Sequence, residues 1–287
     1  MARDCTGHIS FPYQPLPQLA PSNQLLMSTQ YRKARREIII IGGGTFGLSA
    51  AWHLLKDRSN EVTLFDHFDH VAPSRDVSKI LRIDYPDVQR MRDVIRSKDT
   101  WAGESVFHPF YYHTGRIVAY SHASIDTLDG IDHARSELCL PVRNRQTIGL
   151  IKDIFASKDV KGDLIVVENE DDGILDWTGA IKSLKQDCVE KGARFRDDKV
   201  LRMDVDENGR VEVIVTAKES IDTSKSEIIL AAGPWIMPIL DASSIEQPPP
   251  SRSPIATGIF SFTLELDFDQ WEKYRRLPVF SEIGVGM

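Results

Sequence analysis

Hydrophobic residues first become dense at Ile38-Ile39-Ile40-Ile41, a β-branched run without polar interruption. Such a run is typical of a strand that is buried on both faces of a parallel sheet. A glycine-rich turn follows, and apolar residues then recur at helical spacing from Leu48 to Lys56. The segment Glu61 to Asp66 predicts a second strand. A strand, a tight turn, a helix and a strand in this order predict a βαβ unit.

Further along the chain, helical and strand patterns alternate. Apolar spacing predicts helices over Arg90 to Trp101 and Trp177 to Lys191. Strands are predicted at Tyr111 to Tyr120, Leu164 to Glu168, Val200 to Val205, Val211 to Val215, Ser226 to Ala232 and Ile255 to Leu266. We therefore expect an α/β fold of mixed (α+β) character, in which a Rossmann-like layer is interrupted by an antiparallel sheet.

Composition and charge exclude several classes of protein. The 287-residue chain has a formal net charge of -7, so it does not offer the basic footprint that nucleic acid requires. Its three cysteines are far apart in sequence, which predicts neither a disulfide framework nor a zinc site. No apolar run approaches the ~20 residues of a membrane helix. We expect no metal, no nucleic acid and no membrane among its partners.

Residues 1–36 differ from the rest of the chain, because prolines stand among polar residues there and a basic cluster ends the segment. Since this segment has no apolar stretch of signal-peptide length, we expect a disordered extension, with a targeting role as the alternative. The last residues, Val285-Gly286-Met287, do not form a peroxisomal Ser-Lys-Leu ending. We expect a cytoplasmic or peroxisomal protein.

The turn after the first strand reads Gly42-Gly43-Gly44-Thr45-Phe46-Gly47, which is the G-x-G-x-x-G pattern of dinucleotide-binding proteins. In this pattern the first glycine makes the tight turn, the second lets the backbone approach a pyrophosphate, and the third lets helix and strand pack closely. Free N–H groups at the helix start favour the anion. Asp66 ends the second strand, where its carboxylate is placed to accept from a ribose hydroxyl and to repel a 2′-phosphate. The motif alone leaves FAD, NAD and a turn that binds nothing as alternatives.

A segment after the second strand resembles a known family. Pro73 to Tyr85 reads Pro-Ser-Arg-Asp-Val-Ser-Lys-Ile-Leu-Arg-Ile-Asp-Tyr, and with the glycine turn before it this segment is similar to the D-amino-acid-oxidase-like flavoprotein superfamily. The most similar branch is the fungal one that contains saccharopine and pipecolate oxidases and fructosyl amino acid oxidases (amadoriases). Three later stretches agree with it, at Tyr111 to Gly115, Ile229 to Trp235 and Lys273 to Phe280. The resemblance implies an FAD cofactor and an FAD-binding domain interleaved with an antiparallel substrate domain.

The resemblance also implies a reaction. An amino or imino acid loses a hydride to the flavin and becomes an imine, and oxygen then takes up the electrons and gives hydrogen peroxide. In this branch an Asp-x-x-Lys-Ile run lies against the isoalloxazine, which implies cofactor contacts from Asp76, Ser78 and Lys79. Arg82 matches a basic position that pairs with the substrate carboxylate, a role that suits a guanidinium. Because amadoriases often lack arginine there, Arg82 favours a plain amino or imino acid as substrate.

The stretch from Ala231 to Trp235 resembles the second cofactor strand of the family. The small residues Ala232 and Gly233 would let the flavin approach the backbone. The resemblance therefore implies that Ala232, Gly233 and Trp235 bind the cofactor. Each expectation has a structural alternative. Lys79 and Arg82 would otherwise form a solvated strand face, and the small residues would belong to an ordinary buried strand that ends at a turn.

Carried along the chain, the resemblance divides it into five parts. Residues 1–36 form the extension, 37–110 and 166–240 the FAD-binding domain, 111–165 a substrate-domain segment, and 241–287 the start of a second such segment. Proteins of this family run further, so we expect a C-terminally truncated chain without the late cysteine that bonds to flavin in this branch. A truncated, non-catalytic FAD-binding remnant is therefore one alternative function, and an NAD-dependent reductase is another.

Overall fold

The computed structural model describes residues 34–67, 72–76, 79–103, 106–147, 164–245, 263–275 and 277–283. Within these ranges the strands form four sheets, and helices alternate with them along the chain. The mixed helix and sheet content confirms the predicted fold class. None of the helices in these ranges is both long and apolar enough to cross a membrane.

One core of the molecule is built on a four-stranded parallel sheet. Its strands are β1 (Arg36–Ile41), β2 (Asn60–Asp66), β9 (Arg194–Asp197) and β13 (Glu227–Leu230), in the order β13-β1-β2-β9. Ile38 to Ile41 are all buried, because β1 lies between two neighbours and both of its faces are covered. Helix α1 (Thr45–Leu54) connects β1 to β2. The predicted βαβ unit is therefore present, with its helix beginning at Thr45 rather than Leu48.

Different layers cover the two faces of this sheet. On one face, Ile38 and Ile40 pack with α1 and with α4 (Trp177–Glu190). On the other face, Ile39 and Ile41 pack against an antiparallel meander and a short helix. The meander consists of β10 (Val200–Val205), β11 (Val211–Thr216) and β12 (Ser220–Asp222), and α5 spans Ile236–Ala242. Because side chains alternate between the faces of a strand, burial on both sides requires an uninterrupted apolar run.

The remaining strands form two more sheets around a second core. One sheet contains β5 (Arg116–Tyr120), β6 (Arg145–Thr147), β7 (Ile165–Asn169) and β14 (Val279–Ile283), and the other contains β3 (Lys79–Leu81), β4 (Tyr111–Tyr112) and β8 (Gly173–Leu175). Strand β14 pairs parallel to β5, whereas the other pairings in these two sheets are antiparallel. Helices α2 (Val88–Ala102) and α3 (Ile125–Glu137) bring Met91, Leu128 and Ile131 against Val118 and Val167.

Two predicted elements differ from the structure. The single strand predicted over Tyr111 to Tyr120 is divided into β4 and β5, which lie in different sheets. Gly115, with φ of +71°, turns the chain between them. Of the strand predicted over Ile255 to Leu266, residues 255–262 lie outside the described residues, and residues 263–266 are not in a strand. Helix α6 (Phe268–Tyr274) follows them.

Helix α3 has no counterpart among the predicted elements. One of its most deeply buried side chains is Arg135, which donates to Asp84 at 2.5 Å and to the carbonyl of Pro141 at 2.7 Å. Arg135 thus occupies a buried position of α3, where the helical pattern of apolar residues would require an apolar side chain. The division into domains stays a prediction, and β7 runs across the predicted boundary between residues 165 and 166.

A buried carboxylate, Asp172, connects the strands of the second core. Its Oδ1 accepts from the N–H of Ile83 at 2.8 Å, and its carbonyl accepts from the N–H of Gly115 at 3.0 Å. Arg116 lies 3.6 Å from the other carboxylate oxygen, and it also donates to Ser281 of β14 at 3.0 Å. Burial raises the pKa of Asp172 to about 6, against the opposing effect of the hydrogen bond from Ile83.

Replacing Asp172 with asparagine tests this effect of burial. Because the pKa in the folded state lies above the ordinary value of an aspartate, the folded protein holds this proton more tightly than the unfolded chain. The resulting stability is fully present below about pH 4 and is lost as the pH rises through about 6. We expect the free energy of unfolding of the wild type, minus that of Asp172→Asn, to fall by about 3 kcal/mol between about pH 4 and about pH 7.

Asp171→Asn is the matched control, because the hydrogen bond from Lys98 lowers the pKa of Asp171. Its contribution has the opposite sign, since it is present above the ordinary pKa of an aspartate and is lost as the pH falls. Urea unfolding at a series of pH values measures both differences. A wild-type advantage over Asp172→Asn that stays constant, or that grows with pH, would contradict burial as the dominant influence on Asp172.

Cys188 and Cys139 differ in burial and therefore in reactivity. Cys188 is fully buried, and this burial raises the pKa of its thiol to about 11, whereas Cys139 is exposed. Since the thiolate is the reactive form, we expect iodoacetamide to alkylate Cys139 in the native protein and Cys188 only on unfolding. Peptide mass spectrometry with and without urea measures both rates. Equal labelling of the two thiols in the native protein would be incompatible with the packing of α4 on the sheet.

Candidate functional site

The glycine turn lies at the carboxyl end of β1 and leads directly into α1. Gly42 has φ of +107°, which favours glycine, and a Cβ added to it would lie 2.3 Å from the carbonyl oxygen of Ala231. A Cβ on Gly47 would lie 1.8 Å from the carbonyl oxygen of Gly42, so α1 packs this closely only without one. Gly44 is the N-cap of α1 and provides no side-chain cap. The first N–H groups of α1 therefore need partners from outside the turn.

A cavity of about 540 Å³ opens beside this turn, at the edge where the parallel strands end. Ligands of open α/β sheets bind at this edge. Most of the predicted site residues line the cavity: Gly42, Gly44, Thr45, Phe46, Asp66, Lys79, Ala232, Gly233 and Trp235. Among the described residues, the predicted ones that do not line it are Gly43, Gly47, Asp76 and Arg82. Ser78 lies outside the described residues.

Two acidic residues stand on one side of the cavity. Asp66 ends β2, and a Cβ on Gly43 would lie 3.0 Å from the Cβ of Asp66, so the missing side chain leaves room for this carboxylate. The corner between β9 and β10 forms the next part of the wall. There the N–H of Asp198 donates to the carbonyl oxygen of Asp66 at 3.3 Å, and both residues line the cavity.

Lys79 enters the cavity wall from the second core. Its Nζ lies 2.7 Å from a carboxylate oxygen of Asp76, and both side chains are about one-third exposed. Asp76 therefore does not line the cavity itself, but it is paired with Lys79, which does. Leu175 of β8 pairs with Lys79 of β3. This pairing brings the start of α4 close by, and Trp177 accordingly lines the same cavity.

Arg82 lies apart from this group. It is exposed, and its guanidinium carbon lies 4.5 Å from the centre of the Tyr85 ring. Side chains alternate between the two sides of an extended chain, so positions 79 and 82 point in opposite directions. The structure does not bring Arg82 and Lys79 together at the cavity, and the role of Arg82 in substrate binding stays a prediction.

Several wall residues were not selected from the sequence. Ser74, in the short helix Pro73–Arg75, accepts from the N–H of Thr45 at 3.0 Å, and the two hydroxyls lie 2.9 Å apart. A serine from a separate segment thus caps the start of α1. Ser74 could have been selected from the sequence, because it lies two residues before the Asp76 to Lys79 run. The sequence around Asp198 and Trp177 does not indicate a site, because strand pairing and helix packing bring these residues to the cavity.

Comparison with known proteins identifies the relatives of this chain. The family described as FAD dependent oxidoreductase matches residues 37–280, which confirms the resemblance inferred from the sequence. An L-saccharopine oxidase of Schizosaccharomyces pombe is 22% identical over 271 residues, which are 85% of this chain and 59% of that protein. A probable sarcosine oxidase of Arabidopsis thaliana is 27% identical over 217 residues, which are 70% of this chain and 50% of that protein. The matches thus cover between 50% and 59% of the length of these curated relatives.

Solved structures share the fold of this chain. The L-proline dehydrogenase from P. horikoshii matches with a TM-score of 0.61 at 24% identity, covering 75% of this chain and 57% of that one. Fructosyl amine: oxygen oxidoreductase (Amadoriase I) from Aspergillus fumigatus matches with a TM-score of 0.61 at 21% identity, covering 92% of this chain and 60% of that one. At these identities the likeness concerns the fold, and it confirms the Rossmann-like architecture.

Gly42 and Gly192 have similar φ angles but different surroundings, which makes them a matched pair. The φ angle is +107° at Gly42 and +98° at Gly192, and nothing lies within 4 Å of a Cβ added at Gly192. We expect Gly192→Ala to cost only the backbone strain, roughly 1–2 kcal/mol. Gly42→Ala must also displace the backbone at Ala231, which adds roughly 1–3 kcal/mol. Urea unfolding measures both losses, and equal losses would show that the contact of the turn with Ala231 does not constrain the fold.

Proposed function

Since the chain belongs to the FAD-dependent oxidoreductase family, which matches residues 37–280, we propose that it binds FAD beside the glycine turn and oxidises the C–N bond of an amino or imino acid. The observation that carries the proposal is the convergence of the turn, Asp66, Lys79 and Ala232 on one cavity of about 540 Å³. Cofactor sites are concave and are lined by apolar residues with a few placed polar groups, as this one is.

The residues of the cavity fit the cofactor. Gly42 and Gly44 present backbone without side chains at the start of α1, where a pyrophosphate would be held by N–H groups and by the helix dipole. Asp66 stands at the end of β2, where its carboxylate would accept from a ribose hydroxyl. Ala232 and Gly233 leave the wall beyond β13 without bulky side chains, so that a flat ring could approach the backbone.

When bound, FAD supplies a two-electron acceptor. The chain supplies placement and charge. Lys79 holds an ammonium group at the wall, paired with Asp76 at 2.7 Å, and this group can donate to an electronegative atom of a ligand or of a water. The amino acid would lose the hydride of its Cα and a proton from its nitrogen, which leaves a C=N bond that water hydrolyses. Oxygen would finally accept both electrons, with two protons, and form hydrogen peroxide.

Arg82 is the proposed partner of the substrate carboxylate, since a guanidinium binds a carboxylate through two parallel hydrogen bonds. In this structure its guanidinium lies over the Tyr85 ring, so that role requires the side chain to leave the ring. The same observation favours a second candidate function. A chain that holds FAD but does not position a substrate carboxylate would bind the cofactor without oxidising an amine.

Purification of the full chain from cells supplied with riboflavin tests the cofactor. We expect a yellow protein with flavin absorbance at about 450 nm. Asp66→Ala removes the ribose acceptor and should weaken FAD binding by about tenfold or more. Asp222→Ala, on the exposed strand β12, serves as the control and should bind as the wild type does. Soluble, folded protein that takes up no flavin would contradict the cofactor proposal.

Peroxide formation separates the two candidate functions. A coupled peroxidase assay with saccharopine, pipecolate, sarcosine, proline and a fructosyl amino acid should detect turnover of at least one donor. Arg82→Met should then raise the KM for that donor with flavin still bound. Arg90→Met is the matched control, because the Arg90 guanidinium also lies near the Tyr85 ring, at 5.3 Å. Absence of peroxide from flavin-loaded protein with every donor would favour the non-catalytic function.

A further inference from the structure

Four aromatic side chains follow one another from the cavity wall to α1. Trp177 lines the cavity, and the centre of its ring lies 5.7 Å from that of the buried Trp101 of α2. The ring of Phe107 lies 4.9 Å from Trp101 and 6.2 Å from Trp52, which is half-buried on α1. All three distances are those of contacting aromatic pairs. The rings therefore form an unbroken path, which we call the aromatic row.

The two ends of the aromatic row differ in the partner of the indole N–H. The Nε1 of Trp177 is buried and has no hydrogen-bond partner among the described residues. The Nε1 of Trp52 donates to a carboxylate oxygen of Asp187 at 2.6 Å. An indole that loses an electron becomes a strong acid at this nitrogen, and a base within hydrogen-bond reach can take the proton. Trp177 would therefore remain a cation after losing an electron, whereas Trp52 can become a neutral radical.

The charges around Trp52 favour this neutral radical over the cation. The Nζ of Lys56 lies 4.1 Å from the centre of the Trp52 ring, and the Nζ of Lys191 lies 5.2 Å from it. Both ammonium groups would repel a positive charge on the indole, and loss of the proton to Asp187 removes this repulsion. Lys191 also pairs with the carboxylate of Asp187, which holds the acceptor in place. An electron deficiency in the aromatic row would therefore come to rest at Trp52.

We propose that the aromatic row relays single electrons from Trp52 to a photoexcited flavin in the cavity. The inference rests on the proposed function, because that function supplies the flavin. Blue light makes the flavin an oxidant, which takes one electron from Trp177. Trp101 returns an electron to Trp177, and Trp52 returns one to Trp101 across the ring of Phe107. Trp52 then gives its Nε1 proton to Asp187, so that the flavin has gained one electron and Trp52 has lost one electron and one proton.

Flash photolysis of the flavin-loaded full chain, without oxygen or amine, tests the relay independently of amine oxidation. After a blue flash, we expect reduced flavin to appear together with a neutral tryptophan radical, whose absorption differs from that of the radical cation. Trp177→Phe should lower the yield of this radical severalfold. Trp52→Phe should leave the electron deficiency on Trp101, so that it recombines with the reduced flavin and shortens the lifetime of the reduced flavin severalfold.

Asp187→Asn tests the proton step, because the amide keeps the shape of the side chain but is a much weaker base. The neutral radical should then be lost, and the radical cation should be seen in its place. With ascorbate present, the electron of Trp52 is replaced and its proton returns from Asp187. Steady blue light should therefore bleach the flavin band of the wild type severalfold faster than that of Trp52→Phe or Trp177→Phe, compared at equal flavin content.

Trp271→Phe is the matched control, because Trp271 is 47% exposed on α6 and does not line the cavity. It should behave as the wild type does. Trp235 also lines the cavity, and a flavin that it reduced directly would give the same radical yield and lifetime in Trp177→Phe and Trp52→Phe as in the wild type. That result would overturn the relay and leave the proposed function in place. A relay in a chain that oxidises no amine would support this inference and contradict amine oxidation, and a chain that takes up no flavin would overturn both.

Discussion

The close contact between the turn after β1 and the end of β13 is the constraint on which the rest of the structure depends. The N–H of Ala231 donates to the carbonyl of Ile41 at 2.7 Å, and the N–H of Gly42 donates to the carbonyl of Phe65 at 2.8 Å. The end of β1 is thus tied to both of its neighbours. Because no side chain fits at Gly42, the backbones of the turn and of β13 meet directly. Three strand ends are brought together in this way, and they form the base of the cavity.

The chemistry of the cavity follows from this arrangement. Parallel strands end at the same edge of a sheet, so residues that are far apart in sequence become neighbours there. Examples are Asp66 at the end of β2, Asp198 after β9 and Ala232 after β13. The second core adds a cation, since the pairing of β3 with β8 places Lys79 at the same cavity. The cavity therefore combines carboxylate acceptors on one wall, a turn whose backbone is not covered by side chains, and an ammonium group paired with Asp76. Together these features suit an adenine dinucleotide.

The sequence was sufficient to predict the parts of the fold that have local causes. Four consecutive isoleucines predict a strand buried on both faces, and the glycine spacing predicts the turn that follows it. Arg135 shows where such patterns fail, because this buried position of α3 holds a cation whose burial is stabilised by an ion pair with Asp84. Asp198 could not be selected either, since only the pairing of β9 with β2 brings it to Asp66. Arg82 and Lys79 are close in sequence, yet the alternation along an extended chain places them on different sides.

Hydrogen–deuterium exchange of the full chain, with and without FAD, tests most directly whether this cavity is the dinucleotide site. The structure predicts slower exchange in the peptides that contain residues 42–48, 198–201 and 231–235 when FAD is present, because these segments form the wall. Peptides from α2 and α3, which pack in the second core, should exchange at unchanged rates. Protection that is absent from the glycine turn, or that is confined to the second core, would contradict the placement of the cofactor at the carboxyl edge of the parallel sheet.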